Sequence, residues 1–169
     1  MSNVAEAIAK LTKVFTEQPE KAKTKNAPAT AVFHEGLKFQ VTGPAGENVL
    51  TDMPPPMGGA GSGPNPGWLL RASLASCNAT VIAMRAAQLG ISLKSLEVTV
   101  ESESDNRGLL GLDESVSAGI RNLRTKVKIG AEAASPAQLR EIVAWGEAHS
   151  PVGCTIGRAP NAPTDVEIV

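Results

Sequence analysis

Asn65-Pro66-Gly67-Trp68-Leu69-Leu70-Arg71-Ala72-Ser73-Leu74-Ala75-Ser76-Cys77-Asn78-Ala79-Thr80 opens a run that continues through Val81, Ile82 and Met84 to Leu89 and Gly90. Asn65 suits an N-cap, and Pro66 fits the first helical position, where its missing N–H removes no intrahelical bond. Gly90 supplies the stop. Between these signals the residues are apolar nearly all round the helical wheel, which predicts a helix over 66–89 buried on most sides. A helix of about 24 residues spans roughly 36 Å. That is long for a chain of 169 residues, so it is expected to be the spine of the fold. Arg71, Asn78 and Arg85 interrupt the run and no long apolar companion exists, which favours a core helix over a membrane span.

Outward from the spine, Met53 to Gly67 is rich in proline and glycine. It invites comparison with a phosphate loop but lacks the G-x-x-x-x-G-K-[ST] pattern, so an irregular approach to the helix is the better reading. Before it, Ala31-Val32-Phe33, then Leu37, Phe39 and Val41 around a turn at Glu35-Gly36, and a short Val49-Leu50, predict a strand meander. After the spine, Leu96, Val98 and Val100 alternate with polar residues, as do Leu123, Thr125, Val127 and Ile129; both read as strands with one wet face. Ser135-Pro136 and Ser150-Pro151 each open a helix, and Val166-Glu167-Ile168 is expected to close the chain as a strand. Val4, Ile8, Leu11 and Phe15 predict an amphipathic first helix over 3–17, followed by a lysine-bearing linker at Lys21–Pro28. Helix, strands, long helix, strands, helices, strand is an α+β order.

The formal charge is −1, and no basic face is in view, so nucleic acid is not an expected partner. The first 20 residues mix Glu6, Lys10, Lys13 and Glu17 into a helical pattern unlike a signal peptide, which points to a cytoplasmic protein with no membrane association. Two cysteines are too few for a disulfide scaffold. Cys77, in mid-helix, reads as a packed thiol or a reactive one; spacing does not decide between them. His34 and His149 form no ligand-spacing pattern with Cys77 and Cys154, so no metal and no cofactor are expected. His149 reads as a helix-end cap.

Asn65-Pro66-Gly67-x-Leu69, with Cys77 ten residues after Gly67, resembles the hallmark of the osmotically inducible protein C / organic hydroperoxide resistance (OsmC/Ohr) family, an Asn-Pro-Glu-x-Leu segment leading to a peroxidatic cysteine. The resemblance extends through the meander, Leu93–Glu101 and His149-Ser150-Pro151-Val152. It implies an OsmC-like domain over 29–169, with residues 1–28 an N-terminal helix and linker. It also implies antiparallel sheets wrapped around the central helix of an intertwined homodimer. In complete family members the cysteine thiolate cleaves the O–O bond of an organic hydroperoxide. An arginine held by the glutamate stabilises it, a second cysteine resolves it, and a thiol reductant restores it.

Cys77 carries over as the nucleophile. Gly67 stands in place of the glutamate, no arginine precedes Arg71, and Ser150 stands where the second cysteine is expected. Arg71 is thus a candidate thiolate stabiliser and Cys154 a candidate shifted resolving thiol, with Arg107 a further arginine whose simpler role is a loop ion pair. The implied function is reduction of organic hydroperoxides in oxidative stress. The alternative is a non-catalytic dimer that binds an apolar small molecule in its cleft, with Cys77 a structural remnant.

Overall fold

The structure, a computed structural model, describes residues 3–158 and 162–168. Its elements in chain order are α1 (Asn3–Glu17), β1 (Thr30–Glu35), β2 (Lys38–Thr42), β3 (Asn48–Thr51), α2 (Pro66–Gln88), β4 (Leu93–Glu103), α3 (Asn106–Leu109), β5 (Arg121–Ala131), α4 (Pro136–Ala148) and α5 (Pro151–Arg158). The strands form two sheets, β1-β2-β3 and β4-β5. This is the α+β arrangement that the patterning predicts. The expected closing strand is absent: residues 162–168 carry no regular element, and Val166 and Ile168 lie open to solvent. Val and Ile favour pleated, half-buried surfaces, and without such a surface to pack on their propensity alone does not make a strand. The chain divides into two compact units, Met1–Ala5 with Ser73–Thr99 and Thr125–Val169, and Glu6–Ala72 with Val100–Arg124.

In the first unit, Ile82, Ala86 and Ile142 are buried, with Leu93, Leu96, Val98, Val127, Ile129 and Val143 among the residues packed against them. The period-2 alternation of the strands supplies one row of that core, and α2 and α4 supply the rest. Gly146 of α4 packs directly on α2: a Cβ added there would lie 2.5 Å from Ile82 Cγ1. Helix ends follow local chemistry. Gly90, with φ +69°, lets the Ile91 N–H reach back to the Ala86 carbonyl at 2.9 Å, which stops α2 in a Schellman turn. Ser135 and Gln138 form a reciprocal capping box at the start of α4. Across the sheet Lys128 meets Glu97 at 2.7 Å and Lys94 meets Glu132, pairings that run in opposite directions along β4 and β5, as antiparallel strands require.

In the second unit, β1, β2 and β3 form an antiparallel meander with Thr30 opposite Thr42 and Phe39 opposite Thr51. Gly36 takes the left-handed turn conformation at φ +54°. Asp52 follows β3 and is 1% exposed. Its carboxylate accepts hydrogen bonds from the Met53 N–H at 2.8 Å, the Ala60 N–H at 3.0 Å, the Ser62 N–H at 3.0 Å and the Ser62 hydroxyl at 2.8 Å. The proline- and glycine-rich segment is thus a loop wrapped around one buried anion. Gly59 and Gly63 are required by it, because a side chain at either would strike the carbonyls of Met53 and Leu50. The loop delivers Asn65, whose Oδ1 accepts from the Trp68 N–H at 2.8 Å and caps α2.

Two outcomes follow from this packing. Gly146→Ala is expected to destabilise the protein by about 1–3 kcal/mol, because overpacking outweighs the gain in helix propensity; urea unfolding followed by circular dichroism measures it. The four donors around Asp52, led by the Ser62 N–H, hold its carboxyl down to about 2. Its folded value lies below the unfolded value of about 4. The stabilisation is therefore complete above the unfolded value and is lost as pH falls through the folded one. Asp52→Asn is expected to unfold several degrees lower at pH 7 and to lose less stability than the wild type between pH 4 and pH 2.

Candidate thiol site

Cys77 sits on α2 half-buried, one residue off the stripe of Leu74, Asn78, Ile82 and Ala86 that forms the buried face of the helix. The Ser150 hydroxyl donates a hydrogen bond to Cys77 Sγ at 3.2 Å. Ser150 is 0% exposed. It owes this position to the sharp joint between two helices: His149 caps the C-terminus of α4, and Pro151 starts α5. Ser150 acts as the N-cap of α5, its Oγ accepting from the Gly153 N–H at 3.1 Å and its carbonyl from the Cys154 N–H at 2.8 Å. One hydroxyl thus serves as acceptor for a helix end and as donor to the thiol. Gly153 makes room for the contact, since a Cβ there would lie 3.2 Å from Ser150 Oγ and 3.6 Å from Leu74 Cδ1.

Asn78 is 4% exposed, and its Oδ1 has no hydrogen-bond partner among the described residues. Leu74 and Ile82, one turn to either side on the same stripe, abut Gly153 and Gly146. Asn78 accordingly faces the α4–α5 joint where Ser150 lies. His149 stacks on Trp145 at 3.9 Å between ring centroids and bonds the Trp145 carbonyl through Nδ1 at 2.8 Å. Arg85 covers the Trp145 ring at 4.8 Å. These contacts fix the C-terminal turn of α4 and, with it, the residue that follows.

Cys154 directs its thiol to the Ala148 carbonyl at 3.4 Å, so the hydrogen-bond partner of the Cys77 sulfur is Ser150, while Cys154 stands one turn into α5. Arg71 Nη1 donates to Ser102 Oγ at 3.2 Å and lies 3.8 Å from where a Cβ of Gly67 would stand. A carboxylate at position 67 would therefore meet Arg71, and glycine leaves that place empty. Arg107 is held in the α3 loop by Asp105, whose carboxylate accepts from Nε at 3.0 Å and from Nη2 at 2.6 Å. Chiefly through the Arg107 guanidinium, the Asp105 carboxyl is lowered to about 2. That is the loop ion pair expected from the sequence. Among the described residues no cluster of His, Cys, Asp and Glu has the makings of a metal site, and no helix is long and apolar enough to cross a membrane.

The family resemblance sets Ser150 at the position expected to serve Cys77, but the hydrogen bond between these two residues, 73 apart in the chain, is legible only in the fold. Sequence reasoning gives Asn78 no role, although a polar residue on the buried stripe of an apolar helix is a readable signal.

The sequence matches the OsmC-like protein family over residues 59–165, a span that runs from the Asp52 loop through α2 to α5 and contains Cys77, Ser150 and Cys154. Among solved structures, similar folds include the organic hydroperoxide resistance protein OsmC from Legionella pneumophila, at 23% identity over 79% of this chain and 90% of that one, with a TM-score of 0.59. An OsmC-like protein from Mycoplasma pneumoniae aligns at 18% identity over 80% of this chain and 90% of that one, with a TM-score of 0.68. An organic hydroperoxide resistance protein from Elizabethkingia anophelis aligns at 17% identity over 80% and 91%, with a TM-score of 0.59. No curated protein sequence matches significantly. The likeness to the solved structures is one of fold, and the sequence match covers well over half of the chain: it belongs to the OsmC-like protein family.

Proposed function

We propose that this protein is a cytoplasmic, thiol-dependent peroxidase that reduces organic hydroperoxides through Cys77. The observation that carries the reading is the half-buried Cys77 sulfur on the long helix, bonded to a buried hydroxyl, where the family resemblance expects the peroxidatic cysteine. Its thiolate attacks the peroxide O–O bond, the released alkoxide takes a proton to leave as an alcohol, and the sulfur becomes a sulfenic acid. Arg71 is the proposed cationic partner. Its Nη1 donates to the Ser102 hydroxyl, and Gly67 offers no carboxylate to orient it. A loosely oriented arginine costs positioning, and turnover is expected on the order of 10²-fold below that of members with the whole constellation.

A second reading has its own observation. An apolar cavity of about 560 Å³ is lined by Thr80, Ala83, Met84 and Ala87 of α2 together with Ile91 and Leu93, a volume suited to an apolar small molecule. In that reading the dimer binds a ligand and Cys77 is a packed remnant.

Either reading includes a homodimer. Every residue of β1 is exposed, with Val32 at 56% and Phe33 at 63%, and Trp68 and Leu70 on α2 are open as well. A monomer rarely leaves so much apolar surface in water. Light scattering at micromolar concentration is expected to give twice the 17.5 kDa chain mass, and a folded monomer would count against the proposal. For the chemistry, consumption of cumene hydroperoxide with a dithiol reductant is expected to be slow but measurable in the wild type and to fall to the uncatalysed rate in Cys77→Ser. Equal rates in the two proteins remove Cys77 catalysis and favour the binding reading.

A further inference from the structure

We propose that oxidised Cys77 is not resolved by a second cysteine of the chain: the Ser150 hydroxyl occupies the resolving position, and the sulfenic acid is reduced directly by an external low-molecular-weight thiol. This rests on the peroxidase reading above and adds to it the fate of the oxidised sulfur.

Two features carry it. The first is the contact between Ser150 Oγ and Cys77 Sγ at 3.2 Å, which fills with oxygen the place from which a resolving thiol would act. Ser150 is fully buried and its Oγ is pinned by the Gly153 N–H, so it does not readily turn aside. The second is the placement of Cys154. Its N–H is bonded to the Ser150 carbonyl and its thiol to the Ala148 carbonyl, one turn further along α5, or about 6 Å along the axis. A disulfide needs its Cβ atoms roughly 3.5–4.5 Å apart, and bringing Cys154 to the Ser150 position would unwind the first turn of α5.

The cycle balances. In the first step the Cys77 thiolate forms an S–O bond as the peroxide O–O bond breaks; sulfur is oxidised by two electrons and the hydroperoxide is reduced to an alcohol. In the second, an external thiolate attacks Cys77 sulfur, an S–S bond forms, and the sulfenic hydroxyl leaves with a proton as water. In the third, a second external thiol attacks the mixed disulfide, returning Cys77 as thiol and leaving the external disulfide.

The test oxidises the full-length protein with one equivalent of cumene hydroperoxide in the absence of reductant, then maps its thiols by mass spectrometry. In the wild type, dimedone is expected to attach to Cys77 while Cys154 stays alkylatable, and added glutathione is expected to give a mixed disulfide on Cys77. In Ser150→Cys the same oxidation is expected to yield a disulfide between position 77 and position 150 and little dimedone adduct, again with Cys154 free. A Cys77–Cys154 disulfide in the oxidised wild type overturns the inference while leaving the peroxidase reading in place. Cys77 that stays a thiol throughout overturns the peroxidase reading itself. The wild-type arm decides even if Ser150→Cys fails to fold.

Discussion

The site depends on how closely α4 and α5 approach the buried stripe of α2. Leu74, Asn78, Ile82 and Ala86 recur at one-turn intervals, and glycines oppose two of them, Gly146 at Ile82 and Gly153 at Leu74. Residues without side chains let the backbones come near enough for the core to close without voids. Cys77 is one position off that stripe, which leaves it half-buried instead of sealed. The joint between α4 and α5 falls between the two glycine contacts, and so Ser150 is driven into the interior beside the sulfur.

Two of the groups that the family resemblance implies around the thiol have neutral or empty counterparts here. Gly67 stands for a carboxylate and Ser150 for a thiol, while Arg71 finds a serine hydroxyl as its partner. Hydrogen bonds with an ionised partner are about twice as strong as neutral ones. A hydroxyl is also an adaptable partner, able to donate to a thiolate or to a sulfenic oxygen, whereas a cysteine there would be consumed by the oxidised sulfur. On the peroxidase proposal, these replacements weaken catalysis without dismantling the nucleophile and shift the burden of recycling from the chain to its surroundings.

What the sequence disclosed and what it hid divide along the range of the interactions involved. The ends of α2 and α4 were legible because Asn65, Gly90, Ser135 and Gln138 act on residues within a turn of themselves. The strands were legible because alternation is local. Val166-Glu167-Ile168 carried the same local signal without a sheet to receive it, and the expected strand did not form. The segment from Met53 to Gly67 read as irregular because its order comes from one carboxylate reaching residues one, eight and ten positions away. No periodicity encodes such a set. The contact between Ser150 and Cys77 is longer in range still; only the resemblance to a family placed the two in one site, and only the fold supplied the hydrogen bond between them.

The thiol site is tied to ordinary packing. Ser150 is at once the N-cap of α5, a fully buried residue and the neighbour of the Cys77 sulfur. Its hydroxyl cannot swing away from Cys77 without altering the helix cap, and α5 cannot lift from α2 without giving up the contact between Leu74 and Gly153. A buried polar group with every bond made rigidifies its surroundings. The Ser150 hydroxyl is such a group, bonded both to the Gly153 N–H and to the Cys77 sulfur.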